Sequence, residues 1–147
     1  MFYELSTPID APIENAWHGL VYLHDWPQWN NLVPRASGEV VVGAQLEFQI
    51  RRDDGKGLRA HRPVVLTLAP PKKIVLAASF GHQRLLRLVH SFYFDNQGSE
   101  LRLRQTWDAT GLLVPILRSE LTKTMARFAE LGEDLAKWVE QKSSKVR

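Results

Sequence analysis

The sequence predicts an α+β domain in which a curved antiparallel sheet of six or seven strands wraps around one long C-terminal helix. Apolar and polar residues alternate in several runs between residues 45 and 110, which is the period of β-strands. The segments that separate these runs are short and contain glycine, proline or asparagine, as in an antiparallel meander. Beyond residue 115 the apolar spacing changes to three and four, which indicates an amphipathic helix.

A strand and two short helices are predicted at the start of the chain. The first strand is predicted for FYELSTPI, and Pro12 then suits the first turn of a helix, where its missing N–H would have no partner anyway. The apolar residues that recur at helical spacing after it are Ile13, Ala16, Trp17, Leu20 and Val21. A second short helix or turn is predicted for HDWPQWNNL, with Pro27 near its start.

Five strand candidates follow in the middle of the chain. In GAQLEFQIRR, Leu46, Phe48 and Ile50 share one face while polar residues share the other, which is typical of a half-buried strand. A hairpin turn is predicted for DDGKG, because its glycines can adopt positive φ. The other four candidates are HRPVVLTLA, KKIVLAASF, LLRLVHSFYF and ELRLRQTWDAT.

The last third of the chain predicts one helix of roughly 25 residues that begins near Pro115. Lysines and glutamates lie opposite its apolar stripe. The stripe consists of Leu117, Leu121, Met125, Phe128, Leu135 and Trp138. We therefore expect a single domain over residues 1–141, followed by a basic, flexible tail at residues 142–147.

An internal cavity is expected from this combination of elements. The apolar face of the sheet and the apolar stripe of the helix must cover each other. One helix is too narrow to cover six or seven strands, so a hollow should remain at the open end of the sheet. The two short N-terminal helices would then form a lid, which would explain the concentration of Trp17, Trp26 and Trp29 near the start of the chain.

Composition limits the classes of protein that need to be considered. A chain of 147 residues is long enough to bury a core without disulfides, and it contains no cysteine for a disulfide, a thiolate zinc site or a cysteine nucleophile. The N-terminus does not resemble a signal peptide, and no apolar run approaches the roughly 18 residues of a membrane span. We expect a cytoplasmic protein without a transmembrane segment.

The positive charge of the chain does not indicate a nucleic-acid binder. The net charge is +3, but residues 142–147 contain three of the 19 lysines and arginines and no acid, so 16 basic and 16 acidic residues remain for the domain. Nucleic-acid binders concentrate positive charge on the recognition surface. We expect no nucleic-acid partner.

Three segments carry motifs of a known family, in the family's order and over nearly the whole chain. They are IDAPIENAWHGLVYLHDWPQWNNLV, LAPPKKIVLAASF and HSFYFDNQGSELRLRQTWDATGLLVPIL. Together they resemble the START-related superfamily, often called SRPBCC, and its polyketide cyclase/dehydrase-like branch. The matching positions are Ala11, Pro12, Trp17, Trp29, Asn30, Pro71, His90, Phe92, Gly98, Leu101, Gly111 and Pro115.

The resemblance implies the helix-grip fold, the same architecture that the periodicity predicts. Members of the superfamily bind or transport lipids, sterols and plant hormones, cyclise or dehydrate polyketides, or regulate chaperones through protein contacts. The chain departs from the pattern at Val75 and Leu76, where a tryptophan is usual, and at Gly132, where an asparagine is frequent. The fold alone therefore does not determine the function.

Two polar residues mark the candidate site, because they occupy strand positions at which the alternation predicts apolar side chains. His90 and Gln105 alternate with apolar residues on the inward faces of two strands, and a buried polar group without a partner costs about 1–3 kcal/mol. Each should therefore pair either with a ligand or with another protein group. The residues predicted to line the cavity are Trp26, Trp29, Phe48, Leu66, Leu76, Phe80, His90, Phe92, Gln105, Trp107, Met125 and Phe128.

These residues favour binding over catalysis. The five histidines show no metal-ligand spacing, and no nucleophile elbow or phosphate-binding glycine loop is present, so we expect no metal and no cofactor. The first hypothesis is storage, transport or sensing of a small hydrophobic ligand, such as a lipid or polyketide, by a monomer or homodimer. The alternatives are a polyketide cyclase or dehydratase-like enzyme with His90 as general acid and base, and a protein-interaction module.

Overall fold

A computed structural model describes residues 1–146 and confirms the predicted α+β fold class. Eight strands and four helices lie within these residues. The strands are β1 (Phe2–Ile9), β2 (Arg35–Ser37), β3 (Glu47–Arg51), β4 (Leu58–His61), β5 (Val64–Ala69), β6 (Lys73–Ser79), β7 (Arg87–Gln97) and β8 (Glu100–Thr110). The helices are α1 (Ile13–Val21), α2 (Trp26–Trp29), α3 (Val114–Ala126) and α4 (Phe128–Val146).

The strands form two antiparallel sheets instead of one sheet of six or seven strands. One sheet has the order β1-β8-β7-β6-β5, and the other has the order β2-β3-β4. The segment predicted as one strand, HRPVVLTLA, forms β5 only from Val64 onward, and its first residue, His61, ends the additional strand β4. Pro63 lies between the two strands, and its nitrogen has no proton to donate to a neighbouring strand. The N–H of Leu46 donates to the carbonyl of Pro63 at 2.8 Å, so the two sheets remain joined at this point.

The long C-terminal helix is interrupted once and is longer than predicted. Helices α3 and α4, of 13 and 19 residues, are separated only by Arg127. Helix α4 continues to Val146, so residues 142–146 of the segment expected to be a tail are helical, and Arg147 lies outside the described residues. Ser143 is buried and its Oγ accepts a hydrogen bond from Asn15 at 3.0 Å, which ties this part of the helix to the domain.

Helix α4 packs closely against the N-terminal helices and strand β1. A side chain at Gly19 in α1 would stand 3.0 Å from Leu135 and 3.1 Å from Trp138. A side chain at Gly132 in α4 would stand 2.6 Å from the hydroxyl oxygen of Thr7 in β1. These glycines therefore allow the close approach of α4 to α1 and β1.

The register of the β7–β8 hairpin places its alternate residues in the interior as predicted. His90 lies opposite Trp107, and Phe92 lies opposite Gln105. All four side chains are buried. None of the described helices is both long enough and apolar enough to cross a membrane.

Candidate ligand cavity

A cavity of about 490 Å³ lies between the β3–β4 hairpin, strands β6, β7 and β8, and helix α3. Its volume falls within the range of roughly 300–1,000 Å³ found for small-molecule sites. Most of its wall is apolar. The apolar side chains that line it are Ile50, Ala60, Pro63, Leu76, Ala78, Phe80, Leu86, Leu88, Trp107, Leu117, Leu121, Met125 and Phe128.

Half of the residues predicted to line the cavity do so. These are Leu76, Phe80, His90, Trp107, Met125 and Phe128. Leu76, His90 and Trp107 come from strands β6, β7 and β8, Phe80 directly follows β6, and Met125 and Phe128 flank the junction of α3 and α4. The remaining six are Trp26, Trp29, Phe48, Leu66, Phe92 and Gln105, and they lie elsewhere.

The tryptophans of the N-terminal segment belong to the core instead of a lid. Trp26 donates its indole N–H to the carbonyl of Leu20 at 3.0 Å and stacks on Phe48 at 5.0 Å between ring centroids. Trp26, Phe48 and Phe92 surround a separate void of only about 10 Å³. Trp29 is buried and packs near Trp138, with 6.5 Å between ring centroids. The expectation that Trp26 and Trp29 close the cavity is therefore wrong, because the aromatic rings fill the space beneath them.

Leu66 lies on the outer side of the sheet, which also corrects the prediction. It is 42% exposed. The pairing of β5 with β6 shifts between Val65, which lies opposite Leu76, and Thr67, which lies opposite Val75. Leu66 is thus the extra residue of a β-bulge, and a bulge reverses the inward and outward phase that simple alternation predicts.

The mouth of the cavity is charged. Its exposed residues include Arg51, Arg52, Asp53 and Arg59, which belong to the β3–β4 hairpin. Across the mouth, Nη1 of Arg127 lies 2.7 Å from Oδ1 of Asp53. This ion pair connects the β3–β4 hairpin to the junction between α3 and α4.

The buried end of the cavity contains the imidazole of His90. Gln105 is fully buried, and its Nε2 donates to the carbonyl oxygen of Phe128 at 3.0 Å. Because a carbonyl oxygen only accepts, the amide must be oriented with Oε1 towards His90, whose Nε2 lies 3.2 Å away. His90 is therefore the tautomer that carries its proton on Nε2 and leaves a lone pair on Nδ1.

The Nδ1 atom of His90 has no hydrogen-bond partner among the described residues. Within residues 1–146, the only fully enclosed side-chain nitrogen or oxygen without a partner is the indole nitrogen of Trp29. Because Nδ1 of His90 has no partner and is not fully enclosed, it retains some accessible surface, and the space next to it is the cavity that His90 lines. The buried end thus presents one hydrogen-bond acceptor in an apolar surrounding.

Burial keeps His90 neutral. Its ring stacks on Trp107 at 4.2 Å between centroids and meets the edge of Phe128 at 5.2 Å. Desolvation lowers the pKa of His90 from 6.5 to about 3, although the hydrogen bond that His90 donates to Gln105 opposes the shift and His61 adds to it. At neutral pH the ring accepts a proton poorly and has no proton to give from Nδ1.

A second histidine lines the wall nearer the mouth. His61 stacks on Phe80 with 5.9 Å between centroids and an angle of 9° between the rings. Desolvation, together with the charge of Arg59, lowers the pKa of His61 to about 4. No hydrogen bond or ion pair joins His61 to another described residue. The described part of the chain brings no three His, Asp or Glu side chains together in a geometry that could hold a metal ion.

Fold and cavity together define a helix-grip protein with an open, mostly apolar chamber. The family model for "Activator of Hsp90 ATPase homolog 1-like protein" matches residues 10–140, and the chain belongs to this family. The resemblance to the START-related superfamily is thereby confirmed. No curated protein matches the chain.

Solved structures share the fold at low sequence identity. The di-domain ARO/CYC StfQ from the steffimycin biosynthetic pathway has a TM-score of 0.77 at 19% identity, with 97% of this chain and 52% of that chain covered. A START superfamily protein from Mycobacterium smegmatis has a TM-score of 0.70 at 16% identity, with 95% and 97% covered. An AHSA1-like protein from Aeromonas hydrophila has a TM-score of 0.69 at 15% identity, with 96% and 93% covered. At these identities the similarity shows the fold alone.

Proposed function

We propose that this protein binds a small hydrophobic ligand, such as a lipid or a polyketide, in the cavity between the β3–β4 hairpin and helix α3. The observation that carries the proposal is a cavity of about 490 Å³ with a buried, apolar inner end. The inner wall contains Trp107 and Met125, which are 4% and 2% exposed, so a ligand that reaches them is removed from water. The single acceptor at His90 would orient such a ligand.

Apolar contact would provide most of the affinity. Burial of apolar surface contributes about 25 cal/mol per Å², so a ligand that loses roughly 200 Å² of apolar surface to this cavity gains about 5 kcal/mol. The loss of translational and rotational freedom removes part of this gain. We therefore expect ligands of modest affinity unless polar contacts add to the apolar ones.

Binding is better supported than catalysis. A cyclase or dehydratase would need a general acid or base whose pKa lies near the working pH. The pKa of His90 is about 3 and that of His61 is about 4, so neither ring carries a transferable proton at neutral pH. The carboxylates at the cavity, Asp53, Asp54 and Glu120, belong to exposed residues at its mouth, away from the buried end.

Native mass spectrometry tests the proposal directly. The purified protein should carry a non-covalent hydrophobic ligand, or take up a fluorescent fatty acid after organic extraction has emptied it. Uptake should be displaced by an unlabelled fatty acid of similar length. A protein that is empty when isolated and that also takes up no fatty acid would contradict the proposal.

A variant that fills the cavity provides the matched control. Ala78 lines the cavity on β6, whereas Ala69 is exposed at the end of β5 and does not line it. Ala78→Phe should abolish uptake without loss of folding, because the ring enters empty space. Ala69→Phe introduces the same side chain and should leave uptake unchanged. Equal uptake by Ala78→Phe and the wild-type protein would place the ligand outside this cavity.

A further inference from the structure

The two ends of the cavity differ in chemistry, and this difference defines a class of ligand if the proposed binding function holds. The buried end is apolar except for His90. The mouth carries four arginines, Arg51, Arg52, Arg59 and Arg127. A ligand that spans the cavity would therefore meet a neutral hydrogen-bond acceptor at one end and cationic side chains at the other.

At the buried end, the partner must be a hydrogen-bond donor. His90 is neutral, its Nε2–H is used by Gln105, and only the lone pair of Nδ1 remains. A carbonyl or ether oxygen at this point would meet a lone pair and gain nothing, whereas a hydroxyl group would donate to it. The chamber around it is lined by Leu76, Trp107 and Met125, so the rest of that end of the ligand should be apolar.

At the mouth, two arginines are available for an anion. Arg127 is paired with Asp53, and the Nε–H of Arg51 donates to the carbonyl of Asn31 at 2.7 Å. Arg52 and Arg59 form no ion pair with an acidic side chain among the described residues. Arg59 lies opposite Ile50 in the β3–β4 pairing, and both line the cavity, so its guanidinium is placed on the cavity side of the hairpin.

We propose that the ligand is an amphiphilic monocarboxylate with a hydroxyl group at its far end. Its carboxylate is held by Arg59 and Arg52 at the mouth, its hydrocarbon body fills the chamber, and its hydroxyl donates to Nδ1 of His90. A singly charged carboxylate fits better than a phosphate. Asp54 and Glu120 also line the cavity at its exposed mouth and would repel a doubly charged head group more strongly.

Four sets of probes separate the two contacts. These are ω-hydroxy acids, the matching unsubstituted acids, the matching primary alcohols and the matching α,ω-diols, each as a series from the octyl to the dodecyl chain. Dissociation constants would be measured by isothermal titration calorimetry at low and at moderate ionic strength. At the best chain length, the ω-hydroxy acid should bind most tightly, and only the two acids should weaken when salt is added.

Arginine variants test the head-group contact. Arg59→Gln should weaken binding of the acids by up to about fivefold, as expected for a partly solvated ion pair, and leave the alcohols unchanged. The double variant Arg52→Gln/Arg59→Gln should weaken the acids further. Arg62→Gln is the matched control, since Arg62 pairs with Glu47 at 3.6 Å and does not line the cavity. Its binding constants should equal those of the wild type.

The hydroxyl contact can be followed without a variant. Long-range ¹H–¹⁵N spectra report whether the Nδ1 lone pair of His90 accepts a hydrogen bond. The Nδ1 resonance should move upfield when the ω-hydroxy acid binds and should move less with the unsubstituted acid. The dissociation constant of the ω-hydroxy acid should be roughly fivefold lower than that of the unsubstituted acid, in keeping with one neutral hydrogen bond.

The outcomes distinguish this inference from the function on which it rests. If none of the probes binds, hydrophobic ligand binding itself is contradicted. If alcohols and acids bind equally tightly, or if Arg59→Gln weakens both to the same extent, the cavity binds a hydrophobic ligand but the anionic head group is wrong. If the acids are preferred and Nδ1 does not respond to the ω-hydroxy acid, the proposed hydroxyl is wrong and the ligand class is overturned.

Discussion

Gln105 determines which ring nitrogen of His90 is available to a ligand. Its amide donates to the carbonyl of Phe128 and accepts the Nε2 proton of His90, with distances of 3.0 and 3.2 Å. These two hydrogen bonds connect His90 in β7, Gln105 in β8 and Phe128 at the start of α4, and all three residues are buried. As a result, the ring cannot exchange its tautomer without breaking a buried hydrogen bond, and its Nδ1 lone pair stays directed at the cavity.

Replacement of Gln105 by leucine should destabilise the protein by about 1–3 kcal/mol. The change leaves the Nε2–H of His90 and the carbonyl of Phe128 without their partner in a buried environment, although the volume is nearly conserved. The free energy of unfolding from urea denaturation measures the effect. Gln45→Leu is the control, because Gln45 is exposed and, among the described residues, its side chain forms only one long hydrogen bond, of 3.4 Å to the carbonyl of Arg62. A loss no larger than that of the control would contradict the role given to Gln105.

The stability of the fold should decrease on acidification, starting near pH 6.5. Burial lowers the pKa values of His90 and His61 in the folded state to about 3 and about 4, below the value of 6.5 for an exposed histidine. At pH values between the folded-state and the exposed pKa, the unfolded chain binds protons that the folded chain does not. The free energy of unfolding therefore falls as pH falls. Each histidine contributes a slope of up to about 1.4 kcal/mol per pH unit.

The contribution of His61 to this pH-dependent loss of stability can be measured by replacing His61. His61→Phe keeps an aromatic ring against Phe80 and removes one titrating group, so the slope between pH 6.5 and about pH 4 should become shallower. Urea denaturation at several pH values gives the slope. An unchanged slope in this variant would show that His61 is not desolvated as the structure indicates.

Loss of the Asp53–Arg127 ion pair should accelerate ligand exchange with little effect on stability. The pair spans the mouth of the cavity, and Asp53 is largely exposed, so Asp53→Asn should change the free energy of unfolding by less than about 1 kcal/mol. Stopped-flow fluorescence with a fluorescent fatty acid should show faster association and faster dissociation. Glu47→Gln removes the other ion pair of this hairpin, Glu47–Arg62, and should leave both rates unchanged. Equal rates in Asp53→Asn and the wild type would mean that the hairpin does not control access.

Gly132→Ala should destabilise the protein even though alanine is the better helix former. A methyl group at this position would stand 2.6 Å from the hydroxyl oxygen of Thr7, which is buried on β1. We expect a loss of about 1–3 kcal/mol from overpacking, against a gain of about 1 kcal/mol from helix propensity alone.

Removal of the Thr7 hydroxyl should relieve this clash. In the double variant Thr7→Ala/Gly132→Ala, the free energy of unfolding should exceed that of Gly132→Ala alone. The same contact explains why glycine suits this helical position, since Thr7 occupies the space that a side chain would need. A Gly132→Ala protein that is more stable than the wild type would contradict this explanation.

Local periodicity predicted the parts of the site that depend on one strand pair or one helix. Alternation placed His90 and Trp107 in the interior, and the helical stripe placed Met125 and Phe128 there as well. These residues depend only on the phase within their own element.

The errors arose where the inward or outward direction of a side chain, or the distance between two residues, depends on more than one strand or helix. Alternation could not locate the bulge at Leu66, because nothing in VVLTLA departs from the pattern of a regular strand. The aromatic cluster of Trp26 and Trp29 was expected to cover a hollow, whereas Trp26 stacks on Phe48 and Trp29 packs near Trp138 within the core. The distance between Asp53 and Arg127, which are far apart in the chain, could be known only from the tertiary structure.

The position of a bound ligand is the most direct test of the cavity's role. Methyl-labelled protein would be titrated with dodecanoate, and nuclear Overhauser effects from the ligand's methylene protons to the protein's methyl groups would be recorded. Met125 is 2% exposed and lines the cavity, whereas Leu112 and Ile116 are each 74% exposed on the surface. We predict contacts to Met125 and Leu88. Contacts only to Leu112 and Ile116, or none at saturating dodecanoate, would contradict the account.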